Sequence, residues 1–161
     1  MEQGGGEGTA VSDKPRMLDY FAIKFPINNF VESVSTDGKK IHNYRWPAHE
    51  DNTVPKAIIC MFHGYGSYVG KFAYYAKLYH DQGYDVIGMD YKGFGYSEGV
   101  RGRIESRADF YDDGYQFILK ARNFYKDTYG GAEIPIFSAG YSQGGALGLG
   151  VARLLKERDQ P

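Results

Sequence analysis

Residues Gly140-Tyr141-Ser142-Gln143-Gly144-Gly145 stand between an apolar run, Ile134 to Ala139, and a stretch from Ala146 to Leu155 whose apolar residues recur with helical spacing. A serine hydroxyl is a weak nucleophile until a base takes its proton and a site is built for the charge that develops on the substrate. A sharp strand-to-helix turn supplies part of this by lifting the hydroxyl out of the sheet and setting it at the positive end of a helix. In such a turn the strand and helix backbones pass too closely for a Cβ two residues before and two after the serine. Gly140 and Gly144 meet that demand, and Gly145 extends it. The chemistry expected of Ser142 is acyl transfer, against the plainer reading of a tight turn with no chemistry.

The Gly-x-Ser-x-Gly pattern occurs a second time, at Gly95-Tyr96-Ser97-Glu98-Gly99. Loop residues flank that copy on both sides and no helix follows, so Ser97 is read as a turn residue. A further motif lies after the apolar run Ala57 to Phe62, in His63-Gly64-Tyr65-Gly66. An acyl-transfer site needs two preorganised N–H donors for its oxyanion. The backbone of Gln143, just after the nucleophile, provides one, and the backbone of Tyr65 in this glycine-flanked loop provides the other. His63 is expected to brace the loop through a hydrogen bond rather than act as a base. Asp90, at the end of another strand, is expected to cap its own turn, the alternative being a catalytic acid.

These motifs need elements to carry them. Asn29 to Thr36 and Ile41 to Trp46 read as two strands joined across Asp37-Gly38, a hairpin signal. Ala57 to Phe62 reads as a fully buried strand. From Lys71 to Gln82, Phe72, Tyr75, Ala76 and Tyr79 fall on one helical face before Gly83, and Tyr84 to Met89 follows as a strand. Asp109 to Tyr125 reads as a helix with Phe110, Gly114, Phe117, Ile118, Ala121 and Tyr125 on one side. The alternation β-α-β-α-β-α after an antiparallel hairpin implies an α/β fold with a mostly parallel sheet and helices on both faces. Ligands of such sheets bind beyond the C-terminal strand ends, where His63, Asp90 and Ser142 all fall.

Composition limits the classes of function. A net charge of -1 with 42% hydrophobic residues fits a globular domain and gives no footprint for nucleic acid. The single cysteine, Cys60, sits inside an apolar run as a small hydrophobe, which suits a reducing, cytoplasmic setting. Scattered histidines and a lone cysteine make no metal cluster, and the glycines near Gly64 and Gly93 make no dinucleotide fingerprint, so no cofactor is expected. Residues 1–15 read as a flexible tail without the apolar core of a secretory signal, and 16–161 as the folded part. No apolar run reaches the roughly 20 residues that span a bilayer, which leaves peripheral contact with membranes.

Taken together, Phe62 to Gly66, Asp90 to Gly99, Asp109 to Ile118 and Gly140 to Gly145 resemble the monoacylglycerol lipase and lysophospholipase branch of the α/β-hydrolases, a group filed with serine aminopeptidases. The resemblance runs from about Phe30 to the C-terminus. It implies the α/β-hydrolase fold and a serine hydrolase that cleaves a small lipid ester, monoacylglycerol or lysophospholipid, with Ser142 as nucleophile and Tyr65 and Gln143 as backbone donors. Phe94 departs from the family's usual histidine, and Tyr141 and Gln143 stand where His and Met are frequent, which bears on substrate preference.

The family order of triad members is Ser, then an acid, then His. Here Glu157 and Asp159 are the acids after Ser142, and all four histidines, His42, His49, His63 and His80, precede it. The sequence therefore reads as the N-terminal half of a hydrolase, its C-terminal strands, lid, acid and base lying in the missing half, so that this chain alone is expected to be inactive. The run Ile134 to Ala139 would then be an open sheet edge. The alternative is a non-catalytic chain that works by self-association or partner binding through that edge.

Overall fold

The computed structural model describes residues 26–51 and 53–158; the tail expected over residues 1–15 lies outside them. The described residues form strands β1 (Ile27–Asn28), β2 (Asn43–Trp46), β3 (Ile58–Phe62), β4 (Asp85–Met89) and β5 (Ile136–Gly140). Helices α1 (Ala73–His80), α2 (Arg107–Thr128) and α3 (Gln143–Arg158) separate or follow the last three strands, and a 3-10 turn at Val69–Phe72 leads into α1. The sheet order is β1-β2-β4-β3-β5. β3 runs parallel to both β4 and β5, while β2 pairs antiparallel with β1 and β4. β3, β4 and β5 thus end on one side, and their following loops share one edge of the sheet.

Strand alternation divides the core into two layers. Ile58, Cys60, Phe62, Ile87 and Met89 pack with Phe117, Ile118, Ala121, Tyr125, Leu147 and Val151 of α2 and α3. Ile59, Met61 and Val86, with Tyr44 and Trp46, pack with Val69 and Ala76 on the α1 side. The apolar stripe read along α2 is the buried one, and Ser106 caps the helix by accepting from Asp109 N at 3.2 Å. Burial pushes the Cys60 thiol up from its ordinary pKa, in keeping with a packing role. Of the described helices, none is long and apolar enough to cross a membrane.

The hairpin differs from its sequence reading. Asp37-Gly38 does turn the chain, with Gly38 at φ +81°, and Val34 bridges Lys40. Residues 29–36, however, are not a strand. Asn29 takes φ +50°, and Asn43 replaces a ladder by donating from Nδ2 to Val31 O at 2.9 Å. The helix expected over 71–82 is shorter, because its first turn winds as 3-10 where Asp90 Oδ1 takes the Val69 N–H at 2.8 Å.

Arg45 on β2 and Asp85 on β4 are 8% and 1% exposed and form an ion pair at 2.9 Å. Tyr125 OH and Ala48 N also donate to Asp85, at 2.7 Å each, and Arg45 Nη2 donates to Tyr129 OH at 3.0 Å. The group ties α2 to the sheet across three elements. A buried charge deprived of its partner is costly, so Asp85→Asn should lower the unfolding free energy by about 3–5 kcal/mol. Equilibrium urea unfolding checks this, and a loss below about 1 kcal/mol would show that the pair does not anchor the helix.

Candidate active site

Ser142 leaves β5 at φ +54°, a left-handed conformation that a non-glycine residue holds only when its surroundings impose it. Its side chain is exposed, immediately before the first turn of α3. A Cβ built on Gly144 would lie 2.0 Å from the carbonyl oxygen of Phe62, and one on Gly140 would lie 2.3 Å from the backbone of Gly144. The demand for glycine at these two positions is therefore steric. Gly145 is different: an added Cβ meets only Gly140 O, at an ordinary 3.7 Å. Gly145 does not extend the requirement.

The same close approach sets α3 against the end of β3. Tyr141 N donates to Phe62 O at 3.2 Å, and the Tyr141 ring lies against Gly64, where a Cβ would be 3.0 Å from it. The loop from His63 to Gly66 thus borders the serine turn, and Gly66 closes it at φ +69°. Neither Tyr65 N nor Gln143 N donates to a backbone carbonyl among the described residues. Tyr65 is held from its other end: its hydroxyl donates to Gly102 O at 2.6 Å, and its ring meets Phe94 edge-on at 5.4 Å. Phe94 fills the buried space between the loops after β3 and β4.

His63 is fully buried, stacked on Tyr91 at 3.7 Å between centroids. Tyr91 N–H points at Nε2 at 3.2 Å, and an N–H can only donate. Nε2 is therefore the unprotonated nitrogen, and Nδ1 carries the proton that it shares with Gly64 O at 2.8 Å. With both nitrogens committed, the ring braces the loop and has no lone pair for Ser142. Burial, opposed by the Gly64 hydrogen bond, holds its pKa below the ordinary 6.5.

Asp90 is fully buried, and its carboxylate accepts from Val69 N at 2.8 Å, Tyr44 OH at 2.8 Å and Tyr96 N at 2.9 Å. It ties the entry of α1 to its own loop, which supports the capping role over that of an acid. Gly95 is needed because a Cβ there would stand 2.0 Å from Asp90 Oδ2. Ser97 donates to Asp90 O and accepts from His42 N, a buried structural serine with no access to substrate. Among the described residues no cluster of three His, Cys, Asp or Glu side chains could hold a metal.

The family model for serine aminopeptidase, S33 (Hydrolase_4) matches residues 53–160 and so takes in β3 to α3, including both loops and the serine turn. The chain belongs to this family. Mouse monoglyceride lipase is 29% identical over 127 residues, which is 79% of this chain and 39% of that protein. Phospholipase YtpA of Bacillus subtilis is 30% identical over 95 residues, 59% of this chain and 34% of that protein. In structure, a soluble variant of monoglyceride lipase from Saccharomyces cerevisiae superposes with a TM-score of 0.62 at 22% identity, covering 77% of this chain and 38% of that one. The S33 chain thus has the α/β-hydrolase fold and spans less than two fifths of the length of these relatives.

Two measurements follow from the geometry. Gly144→Ala should destabilise the fold by at least about 2 kcal/mol, since backbone blocks its Cβ, whereas Gly145→Ala should be neutral or gain up to about 1 kcal/mol of helix propensity. Thermal unfolding of the pair decides between this asymmetry and equal effects. Since its folded pKa is depressed, the stability His63 contributes is complete above pH 6.5 and is lost as pH falls through the folded value. Nitrogen-detected NMR should find His63 neutral, with the proton on Nδ1, just below pH 6.5; a ring charged there contradicts the brace.

Proposed function

We propose that this chain carries the nucleophile and oxyanion site of a serine hydrolase that cleaves carboxylic esters, with monoacylglycerol or lysophospholipid as the substrate class. The single observation that carries the reading is the strained, exposed Ser142 at the start of α3, beside the loop that His63 braces. The names of the relatives, monoglyceride lipase and phospholipase, supply the substrate class.

In this reading Ser142 Oγ attacks the ester carbonyl and gives its proton to a base. The N–H groups of Tyr65 and Gln143 accept the charge of the tetrahedral oxyanion, a contribution of roughly 3–4 kcal/mol per donor in such sites. The protonated alcohol leaves, the acyl group stays on Ser142, and water then releases the acid. The backbone of Tyr65 does this work while its side chain holds the loop to Gly102.

In this reading the base is not His63. No histidine follows Ser142, and His63 has both ring nitrogens engaged. The lipid ester is met at a membrane surface by peripheral contact. A second reading, a chain that acts by association rather than catalysis, is favoured by one observation, that β5 lies at the edge of the sheet formed by the described residues.

A fluorophosphonate probe, read by peptide mass spectrometry, should mark Ser142 in the polypeptide that carries it together with its base. Ser142→Ala should remove that label and bring turnover of a short p-nitrophenyl ester to the blank. Labelling or turnover that survives Ser142→Ala would falsify the assignment.

A further inference from the structure

The loop after β4 folds back on itself before it meets Tyr65. Its base, from Asp90 to Ser97, is anchored on buried Asp90: Tyr96 N donates to the carboxylate at 2.9 Å, and Ser97 Oγ to the Asp90 carbonyl at 2.6 Å. Its tip, from Gly99 to Arg103, returns over that base. Gly102 N donates to Gly93 O at 2.9 Å, and the two segments pass so closely that a Cβ on Gly93 would stand 2.3 Å from Val100 O. The Arg101 guanidinium adds a second kind of cross-link. Its Nη1 donates to Gly95 O and its Nη2 to Ser97 O, each at 2.8 Å. A planar fork with fixed N–H directions meets two carbonyls in one orientation, which a lysine ammonium on a flexible stem does not reproduce.

Tyr65 touches both parts of this loop. Its ring meets Phe94 of the base edge-on at 5.4 Å, and its hydroxyl donates to Gly102 O of the tip at 2.6 Å. A side chain of fixed length thus spans base and tip, and its seat depends on the distance that Arg101 holds between them. The hydroxyl bond is exposed, so water competes for both partners, and an acceptor already fixed in place favours the bond.

We propose, on the basis of the oxyanion role given above to the Tyr65 N–H, that Arg101 is a positioning residue for that site. By stapling the tip of the β4 loop to its base, Arg101 sets the Gly102 carbonyl, and through the Tyr65 hydroxyl it sets the Tyr65 backbone. Arg101 acts through geometry and touches no reacting atom. If its charge acted through space, Arg101→Lys would preserve the effect; a fork that sets a distance is lost in Arg101→Lys. The neighbouring Arg103 provides the contrast, with a side chain 65% exposed that pairs with Glu105 at 3.8 Å.

Hydrogen exchange on the 161-residue chain reads the coupling without turnover. Ser67 N donates to Gly64 O within the Tyr65 loop, and Gly102 N to Gly93 O in the tip, so these two amides report the two loops. Arg101→Lys should speed exchange at both by roughly threefold to tenfold, as expected for the loss of one net hydrogen bond. The amides of β3 and β4 should keep their protection, and Arg103→Ala should change neither reporter. Added to Tyr65→Phe, Arg101→Lys should free Gly102 and leave Ser67 no faster than Tyr65→Phe alone.

In Ser142-dependent turnover of a short p-nitrophenyl ester, Arg101→Lys and Tyr65→Phe should each lower kcat by roughly the same threefold to tenfold with KM unchanged, and the double variant should fall no further. An Arg101→Lys variant with wild-type exchange at Ser67 or wild-type kcat overturns the proposal, as does a double variant whose losses multiply. Turnover that survives Ser142→Ala overturns the hydrolase reading instead, and the exchange at Ser67 then decides the loop coupling by itself.

Discussion

Where β5 turns into α3, two backbones meet the end of β3 so closely that a methyl group on Gly144 would stand 2.0 Å from the Phe62 carbonyl. Much of the site depends on that approach. Ser142 takes its left-handed conformation in that turn, and Tyr141 lies against Gly64. The loop after β3 is then confined between the serine turn on one side and the loop after β4 on the other. Its own fixings are buried: His63 hydrogen-bonds on both ring nitrogens, and Asp90 gathers three donors from the surrounding segments. The fixing of this loop is thus a property of backbone packing and buried hydrogen bonds.

Much of this was legible because the signals are local. A serine between glycines after an apolar run and before a helical one specifies the turn, and the alternation of strand and helix patterns specifies the layers. The stripe on α2 was legible for the same reason, since Phe117, Ile118, Ala121 and Tyr125 recur at helical spacing. What was not legible depends on partners distant in sequence. Arg45 and Asp85 look like ordinary surface charges until β2 and β4 are set side by side, and Asn43 looks like a loop residue until it holds the segment around Val31. The expectation for Gly145 fails because spacing does not reveal that its Cβ direction is open.

Tyr65 shows how one residue serves two levels of the structure. Its backbone lies in the glycine-flanked loop, and its hydroxyl reaches Gly102 in the loop after β4. Phe94, buried, meets its ring edge-on at 5.4 Å. The loop after β3 is therefore fixed by buried aromatic packing at Phe94 and by an exposed hydrogen bond from Tyr65.

A crystal structure of Ser142 bearing a phosphonate tests the central claim most directly. Two backbone donors preorganised for an oxyanion should both lie about 2.7–3.1 Å from one phosphoryl oxygen. The account predicts that Tyr65 N and Gln143 N are those donors, with the His63 ring unmoved between Gly64 and Tyr91. A phosphoryl oxygen that faces solvent, or one bound by Gln143 alone while the Tyr65 loop turns away, would contradict it.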